Sequence, residues 1–458
     1  MKRIWIRAAI VLAVVVAYLV GALVLPPAFH KEVHAQQLVL PDSNQGERIC
    51  CIDDNTDALI WRLRLIESAR EEVILSTFGF GTGQSGQDMV AALLAAAERG
   101  VEIKLLLDGL HGKKTMDQSE HLQALAAMPN VQVRIYNAIN ALKPWRANYR
   151  MHDKYLIADH SVYMLGGRNT NDLFLGDYSD EPNIDRDVLV YGTGAEGSMG
   201  QLRDYFQSVW SLPVCKDYEC EENEDTETVR AALRQRYRAL QEKYPTAFGF
   251  TDWENKTIPA NSVALLTNPV SAGNKSPQLW KQMCLYMGRG QDILIQTPYV
   301  ICGDEMYEDL TALTEQGKSV TILTNTPETG ANPFGCADLD NQRRNIRKTG
   351  ATLLEYAGDH SIHAKAVLVD ENISIIGSFN LDMRSAYIDT ETMLVIDCPA
   401  LNAQLRGQME DMAGQSLRTE PDGTEEAGKR YEEGDMGFWR SLGHGLLRLV
   451  EWPFRHLL

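Results

Sequence analysis

Two stretches of the chain carry histidine, lysine and aspartate at the same spacing. The first is "MHDKYLIAD", residues 151–159, and the second is "IHAKAVLVD", residues 362–370. Both contain H-x-K-x(4)-D, both are followed by G-[GS]-x-N, and every shared position is offset by 211 residues. One copy of such a pattern arises by chance too often to mean much. Two intact copies at a constant offset indicate one functional site built from two repeated parts.

Each copy places an imidazole and an ammonium group on one face of a predicted strand. Side chains two residues apart in a strand point the same way, so His152 lies beside Lys154 and His363 lies beside Lys365. Two such faces that meet across a pseudo-twofold axis would hold one phosphodiester. The lysines would neutralise its oxygens, while one histidine attacks phosphorus and the other protonates the leaving oxygen. In-line displacement needs two groups on opposite sides of phosphorus, which explains the duplication.

This chemistry predicts neither a metal nor an organic cofactor, because the lysines supply the positive charge that a metal ion often provides. The chain has eight cysteines but no C-x-x-C pair, which argues against a zinc site. Cys50 and Cys51 are adjacent, and Cys215 and Cys220 lie close together. One or two disulfides and buried free thiols are both compatible with these spacings.

The same order of strand, helix and strand precedes each motif. These elements are predicted at residues 73–78, 87–100 and 101–108, and again at residues 292–300, 304–317 and 318–325. A glycine ends each helix, Gly100 in the first case and Gly317 in the second. Strand, helix and strand in succession imply parallel neighbours. The chain is therefore predicted to hold two related α/β halves, residues 56–213 and 261–400, joined by an exposed acidic and helical connection at residues 214–260.

The acidic composition of the chain argues against a nucleic-acid partner. The chain of 458 residues has 44 basic and 62 acidic residues, a net charge of −18. Nucleic-acid-binding proteins rely on basic surfaces to displace counterions, so no nucleic-acid partner is predicted.

The two ends of the chain predict contact with a membrane. Residues 8–25 are uncharged and follow three basic residues, which indicates a single-pass anchor at residues 1–29 with the body outside the cytoplasm. A signal peptide cleaved after Ala35 is the alternative. Residues 437–458 mix apolar and aromatic side chains with arginines at helical spacing, as interfacial helices do. Packing of this helix on the protein's own body is an equal alternative.

The paired motifs resemble those of the phospholipase D superfamily. Over residues 56–398 the chain is similar to the bacterial cardiolipin synthases, and among them to the type called cardiolipin synthase C. The resemblance implies an α/β fold with two phospholipase D-like halves, each with a mixed sheet, around one shared pseudo-twofold active site. It implies a cell-membrane enzyme that transfers a phosphatidyl group between phospholipids of the phosphatidylglycerol or phosphatidylethanolamine class through a phosphohistidine. A hydrolytic phospholipase D, a nuclease of the superfamily and an inactive membrane scaffold are the alternatives.

The resemblance also implies roles for individual residues. His152 is expected to be the nucleophile and His363 the acid and base, with Lys154 and Lys365 on the phosphate. The remaining residues expected to assist are Asn169, Asn380, Asp159 and Asp370. Glu391 is expected to orient His363, Asp187 to be its counterpart in the first half, and Ser378 to add a phosphate contact. Tyr299 and Asn325 are expected to be structural.

Overall fold

The computed structural model describes residues 2–29, 46–192 and 197–458, so the alternative cleavage point at Ala35 lies outside the described residues. Two nine-stranded mixed sheets form the body. The strands of the first sheet are β1 (Arg48–Ile52), β2 (Glu72–Thr77), β3 (Glu102–Asp108), β4 (Val131–Tyr136), β5 (Lys154–Ala158), β6 (Val162–Gly166), β7 (Asp187–Tyr191), β8 (Cys215–Asp217) and β9 (Ile258–Pro259). Their spatial order is β8-β4-β3-β2-β5-β6-β7-β1-β9.

The second half repeats this plan. Its strands are β10 (Ser262–Thr267), β11 (Asp292–Gln296), β12 (Val300–Ile301), β13 (Ser319–Asn325), β14 (Thr352–Tyr356), β15 (Ala366–Val369), β16 (Ile373–Gly377), β17 (Leu381–Asp382), β18 (Thr392–Asp397), β19 (Ser416–Thr419) and β20 (Glu425–Ala427). The sheet order is β10-β18-β16-β15-β11-β13-β14-β19-β20, and β12 pairs separately with β17. In each sheet the motif strand, β5 or β15, lies between the predicted parallel unit and an antiparallel hairpin partner.

Helices cover the sheets and extend the ends of the chain. They are α1 (Lys2–Val24), α2 (Asn55–Ser68), α3 (Gln84–Glu98), α4 (His111–Gln118), α5 (Glu120–Ala126), α6 (Ser198–Trp210), α7 (Thr226–Lys243), α8 (Gln278–Met287), α9 (Asp304–Glu315), α10 (Pro333–Lys348), α11 (Met383–Tyr387), α12 (Pro399–Ala413) and α13 (Gly437–Val450). As predicted, α3 ends before Gly100 and α9 before Gly317, which have φ values of +89° and +81°. Glycine adopts this left-handed conformation without steric cost, so both helices end there.

The repeat extends to strand pairing. β2 runs parallel to β3, and β11 runs parallel to β13, as the order of strand, helix and strand predicted. The inner faces of the two sheets pack on each other through one hydrophobic cluster that includes Ile74 and Tyr155 from the first half and Leu294 and Leu368 from the second. Because both faces of each central strand are covered, these strands are almost uniformly apolar.

The connection between the halves is mostly exposed, as predicted, but one side of its helix is buried against the first half. α7 packs against α3 and α5, and it buries Leu233 and Leu240 in the core of the first half. Most of its charged residues occupy the outer face, although Arg230 is buried, which explains why composition alone suggested a solvated linker. All eight cysteines are free thiols.

The two ends of the chain are apolar and exposed. The segment Trp5–Ala28 is 24 residues long and apolar enough to cross a membrane, and it is the one such helix among the described residues. α13 docks on α10 through polar contacts, including one of 2.7 Å between His444 and Asp340. The exposed apolar side chains of α13 are Phe438, Trp439, Leu442, Leu446, Leu449 and Val450.

Candidate active site

The two motifs meet at the centre of the molecule, between the facing sheets. His152 N–H donates to the carbonyl oxygen of Thr390 at 3.2 Å, and His363 N–H donates to that of Ile184 at 2.7 Å. The backbone of each histidine is thus bonded to the other half. The two half-sites form one site.

Each imidazole is also held by a carboxylate from the opposite half. Glu391 Oε1 lies 2.9 Å from His152 Nδ1, and Asp185 Oδ2 lies 2.5 Å from His363 Nδ1. The prediction that Glu391 orients His363 is therefore wrong, because Glu391 contacts the histidine of the first half. Each carboxylate thus contacts the histidine on the other side of the pseudo-twofold axis.

Asp187 is not the second carboxylate of the site. Its Oδ2 accepts hydrogen bonds from Arg62 at 3.0 Å and from Arg168 at 3.3 Å in a buried cluster behind the sheet. Asp185, two residues earlier and outside β7, reaches His363 instead. The spacing from histidine to carboxylate is 28 residues in the second half and 33 in the first. The longer segment after Asn169 accounts for the difference, and spacing alone did not locate Asp185.

Gly167 provides a local signal for Asp185. A Cβ at this position would lie 2.2 Å from Asp185 Oδ1, so only glycine lets the carboxylate approach. The equivalent residue in the second half is Ser378, whose buried hydroxyl donates to Glu391 Oε2. Ser385 donates to the other oxygen of Glu391 at 2.6 Å. Ser378 therefore holds a carboxylate, and its hydroxyl is engaged by Glu391 and the Thr392 backbone, whereas the sequence predicted a phosphate contact.

The contacts of the two Nδ1 atoms bear on which nitrogen of each ring is free to react. In the tautomer whose Nδ1–H donates to the carboxylate, Nε2 carries the lone pair that can attack or accept a proton. Burial, reinforced by nearby lysines, lowers the pKa of His152 well below its usual value and that of His363 to about 4. Both imidazoles are therefore neutral at pH 7 in the free protein, the state in which a histidine acts as a nucleophile.

The two carboxylates differ in charge. Burial raises the pKa of Glu391 to about 8. Burial also acts on Asp185, but Lys365 and His363 outweigh it and hold the pKa of Asp185 well below its usual value. Asp185 is thus ionised and stabilises an imidazolium at His363, whereas Glu391 is largely neutral. This asymmetry favours His363 as the residue that carries the proton.

Both motif lysines are buried beside the histidines. Lys154 Nζ donates to the carbonyl oxygen of His152 at 2.5 Å, and Lys365 Nζ lies 3.2 Å from His363 Nε2. Burial lowers the pKa of Lys154 to about 8 and that of Lys365 to about 7. A bound anionic phosphodiester would favour the charged form of both.

The two motif asparagines differ in their surroundings. Asn169 Oδ1 accepts a hydrogen bond from Gly79 N–H at 3.2 Å, which ties it to the end of β2. Asn380 Nδ2 donates to the Tyr299 hydroxyl at 3.1 Å, and Asn380 Oδ1 is buried without a hydrogen-bond partner. Asn380 is thus the asparagine with polar capacity left for a ligand.

The motif aspartates, expected to assist in a mainly supporting role, lie outside the site, so we expect no direct catalytic role for them. Asp159 and Asp370 occupy hairpin turns at the far ends of β5 and β15, with φ values of +52° and +49°. Asp159 accepts backbone hydrogen bonds at the start of β2, and Asp370 accepts them at the start of β11. Aspartate suits such turns because it tolerates left-handed backbone and accepts N–H bonds.

A second pair of polar residues braces the backbone before each histidine. Asp108 Oδ2 accepts a hydrogen bond from Met151 N–H at 3.1 Å, and Asn325 Oδ1 accepts one from Ile362 N–H at 2.7 Å. Each brace follows its helix-ending glycine by eight residues. This repeat was visible in the sequence, and the structural reading of Asn325 agrees with its contacts.

A cavity of about 290 Å³ opens on the His152 side of the site. Its walls include Phe78, whose ring lies 5.0 Å from that of His152 and 4.7 Å from that of His111. Tyr299, expected to be structural, lines the cavity together with Asn380. A larger cleft of about 940 Å³, between α9, α10 and the C-terminal turn, contains neither motif histidine.

Substitution Gly167→Ala is expected to lower kcat about 100-fold, the lower end of the effect of an impaired acid–base residue. The added Cβ would push the Asp185 carboxylate away from His363. Gly407→Ala, a glycine of α12 with open space around it, is the matched control and is expected to leave kcat unchanged. A kcat for Gly167→Ala within twofold of the wild type, with an unchanged melting temperature, would refute this role of Asp185.

Comparison with known proteins identifies the family. The family model described as "Cardiolipin synthase, PLD-like domain" matches residues 63–210 and 287–413, which include both motifs. The chain belongs to this family. Cardiolipin synthase C of Escherichia coli is 26% identical over 407 residues, covering 80% of this chain and 85% of the relative. Cardiolipin synthase B of the same organism is 24% identical over 368 residues, covering 80% of each chain.

The fold of this cardiolipin synthase family member is also found among solved structures. The crystal structure of phosphatidylserine synthase from Haemophilus influenzae superposes with a TM-score of 0.59, covering 91% of this chain and 99% of that one at 16% identity. The predicted duplicated phospholipase D-like fold is confirmed. With family membership, the chain is a phosphatidyltransferase of the phospholipase D superfamily.

Proposed function

We propose that this protein is a cardiolipin synthase that transfers a phosphatidyl group from one phospholipid to the hydroxyl of another. The donor belongs to the phosphatidylglycerol or phosphatidylethanolamine class. The observation that carries the proposal is the pairing of two imidazoles, each oriented by a carboxylate of the opposite half, beside two buried lysines. Lys154 and Lys365 supply the charge that a phosphate group requires.

The proposed reaction has two displacements at phosphorus. Binding of the anionic phosphodiester favours the charged form of His363, which takes up a proton from solvent beside the ionised Asp185. His152 Nε2 then attacks, the bond from phosphorus to the leaving alcohol oxygen breaks, and the His363 imidazolium gives that oxygen its proton. A phosphatidyl group then remains on His152. His363 next takes the proton of the acceptor hydroxyl, whose oxygen forms the new bond to phosphorus as the bond to His152 breaks.

Product analysis tests the proposal. Purified full-length protein in vesicles of phosphatidylglycerol is expected to yield cardiolipin and glycerol, and a His152→Asn variant is expected to yield neither. Phosphatidic acid as the main product would identify a hydrolytic phospholipase D instead. If the lipid stays unchanged both in vesicles of phosphatidylglycerol and in vesicles that also contain phosphatidylethanolamine, neither function is correct.

The lysines predict a pH dependence. The free-enzyme profile, kcat/KM, is expected to fall as pH rises through about 7 to 8, because Lys365 and Lys154 lose the charge that attracts phosphate. The kcat profile should fall at higher pH, since bound phosphate stabilises both ammonium groups. Lys365→Arg should move the fall of kcat/KM to higher pH, because arginine stays charged. If kcat and kcat/KM fell at the same pH, the assignment of the fall to the two lysines would be contradicted.

Activity is expected to survive EDTA with less than a twofold change, because the lysines supply the electrostatic stabilisation. Assays after dialysis against the chelator, with and without added Mg²⁺, Ca²⁺ or Zn²⁺, provide the measurement. Loss of activity that one of these ions restores would contradict the proposed mechanism.

We further propose that α1 anchors the enzyme in the cell membrane with its body on the extracytoplasmic side. Lys2, Arg3 and Arg7 precede the uncharged run of residues 8–25, and basic residues favour the cytoplasmic side. The exposed apolar face of α13 suits the surface of the same bilayer. Protease digestion of intact spheroplasts should remove the body; full protection would place it inside.

A further inference from the structure

One loop presents apolar side chains to solvent beside the site. Residues 138–146, called here the mouth loop, leave the sheet after β4 and return just before the first motif. The side chain of Leu142 at its tip is 85% exposed, and Ile139 is 48% exposed. Isolated apolar side chains on a surface are common, but exposed apolar side chains grouped on one loop are typical of a surface that meets another molecule or a membrane.

The loop is held in place at its base. Asn137 Nδ2 donates to the carbonyl oxygens of Arg146 and Tyr149, each at 2.8 Å. Asn137 has a φ of +46°, which turns the chain out of β4 into the loop. The exposed tip is therefore presented by a braced structure.

The end of the membrane-spanning segment contacts the same region. α1 packs against the turn Pro144–Arg146, and Asn148 Nδ2 donates to the carbonyl oxygen of Leu23 at 2.6 Å. His456 Nε2 lies 2.7 Å from the carbonyl oxygen of Val24. The final carbonyls of a helix need partners outside the helix, and these side chains supply them. The point where α1 leaves the bilayer is thus fixed against the base of the mouth loop.

The loop also borders the reactive centre. Ala147 and Asn148, which follow it directly, line the cavity at His152, together with the half-exposed Leu110. Lys143 and Arg146 add positive charge at this rim on a chain that is acidic overall. Basic side chains beside an apolar tip suit the phosphate level of an anionic lipid surface.

We propose that the mouth loop inserts Leu142 and Ile139 into the bilayer surface and that a phospholipid enters the His152 cavity directly from the membrane at this rim. The occupant is the bilayer, because the contacts of Leu23 and Val24 place the loop at the level where the spanning segment ends. The lipid's role as substrate rests on the proposed function; contact of the loop with the bilayer does not.

Photocrosslinking tests the contact without using activity. A benzophenone side chain is introduced by amber suppression in place of Leu142 in the full-length protein, which is reconstituted in vesicles of phosphatidylglycerol and phosphatidylethanolamine. The matched control carries it in place of Phe250, which is 97% exposed and follows a turn packed against α2 and α7. Irradiation is expected to give at least ten times more lipid adduct at position 142 than at position 250. Equal adducts, or a crosslink from position 142 to a second protein chain, would overturn the proposal.

A substrate comparison tests lipid entry. Leu142→Glu is expected to lower the ratio of turnover on vesicles to turnover on dispersed short-chain phosphatidylglycerol at least tenfold, while Phe250→Glu leaves that ratio unchanged. An unchanged ratio for Leu142→Glu would overturn entry at this rim. If the wild type turns over neither substrate, the proposed function fails, and the crosslinking result still decides whether the loop meets the membrane.

Discussion

His152→Asn is expected to abolish turnover and to form no covalent phosphatidyl-enzyme. Asparagine keeps a polar side chain of similar length but has no nitrogen able to attack phosphorus. His363→Asn is expected to slow formation of the intermediate 10²- to 10⁴-fold, the usual effect of losing an acid–base partner. The two variants therefore fail at different stages, although both are inactive in a steady-state assay.

Acid quenching with labelled phosphatidylglycerol, followed by peptide mapping, distinguishes these stages. Label is expected on the peptide that contains "MHDKYLIAD", both in the wild type and, more slowly, in His363→Asn. The charge asymmetry supports this choice, because the ionised Asp185 favours the proton on His363 and leaves His152 free to attack. Label on the peptide with "SIHAKAVLVD" would reverse the two roles. Wild-type activity in either variant would refute a shared site.

Asp185→Asn is expected to lower kcat 10²- to 10⁴-fold, whereas Glu391→Gln lowers it only about tenfold. The amide removes the negative charge that stabilises the His363 imidazolium. The expected loss is that of an impaired acid–base residue. Glu391 has a pKa of about 8, so at pH 7 its replacement by a neutral amide changes the charge of the site little. The difference between the two variants therefore measures the electrostatic asymmetry.

Asp370→Asn is the matched control, because it removes a carboxylate of the motif that lies outside the site. Its contacts are to Gln291 and Asp292 N–H groups in a turn, so the variant should lower the melting temperature while kcat stays within twofold. Equal losses of kcat in Asp185→Asn and Asp370→Asn would show that the motif aspartate is catalytic after all. Equal losses of kcat in Asp185→Asn and Glu391→Gln would contradict the proposed difference in charge between the two carboxylates.

Much of the architecture follows from local patterns. The duplicated strand, helix and strand units were predictable because glycine ends both helices and apolar strands flank them. The pairing of histidines with carboxylates was not predictable, because it crosses between halves over 239 residues for His152 and 178 for His363. Repeat alignment also failed for Ser378, since its counterpart is glycine and the carboxylates beside the two positions differ in length. The packing of α7 was missed because its many charges outweigh a narrow apolar stripe.

The crossed carboxylates also bear on how the protein is made. Translation at about 5–20 residues per second puts about 12–48 s between the synthesis of His152 and that of Glu391, its partner 239 residues later. During that interval the first half has left the ribosome with the inner face of its sheet uncovered, although α1 has already emerged. Nascent chains should therefore depend on chaperones or on early membrane targeting until the second half arrives. A chain truncated before Glu391 should aggregate rather than persist as an inactive half-enzyme.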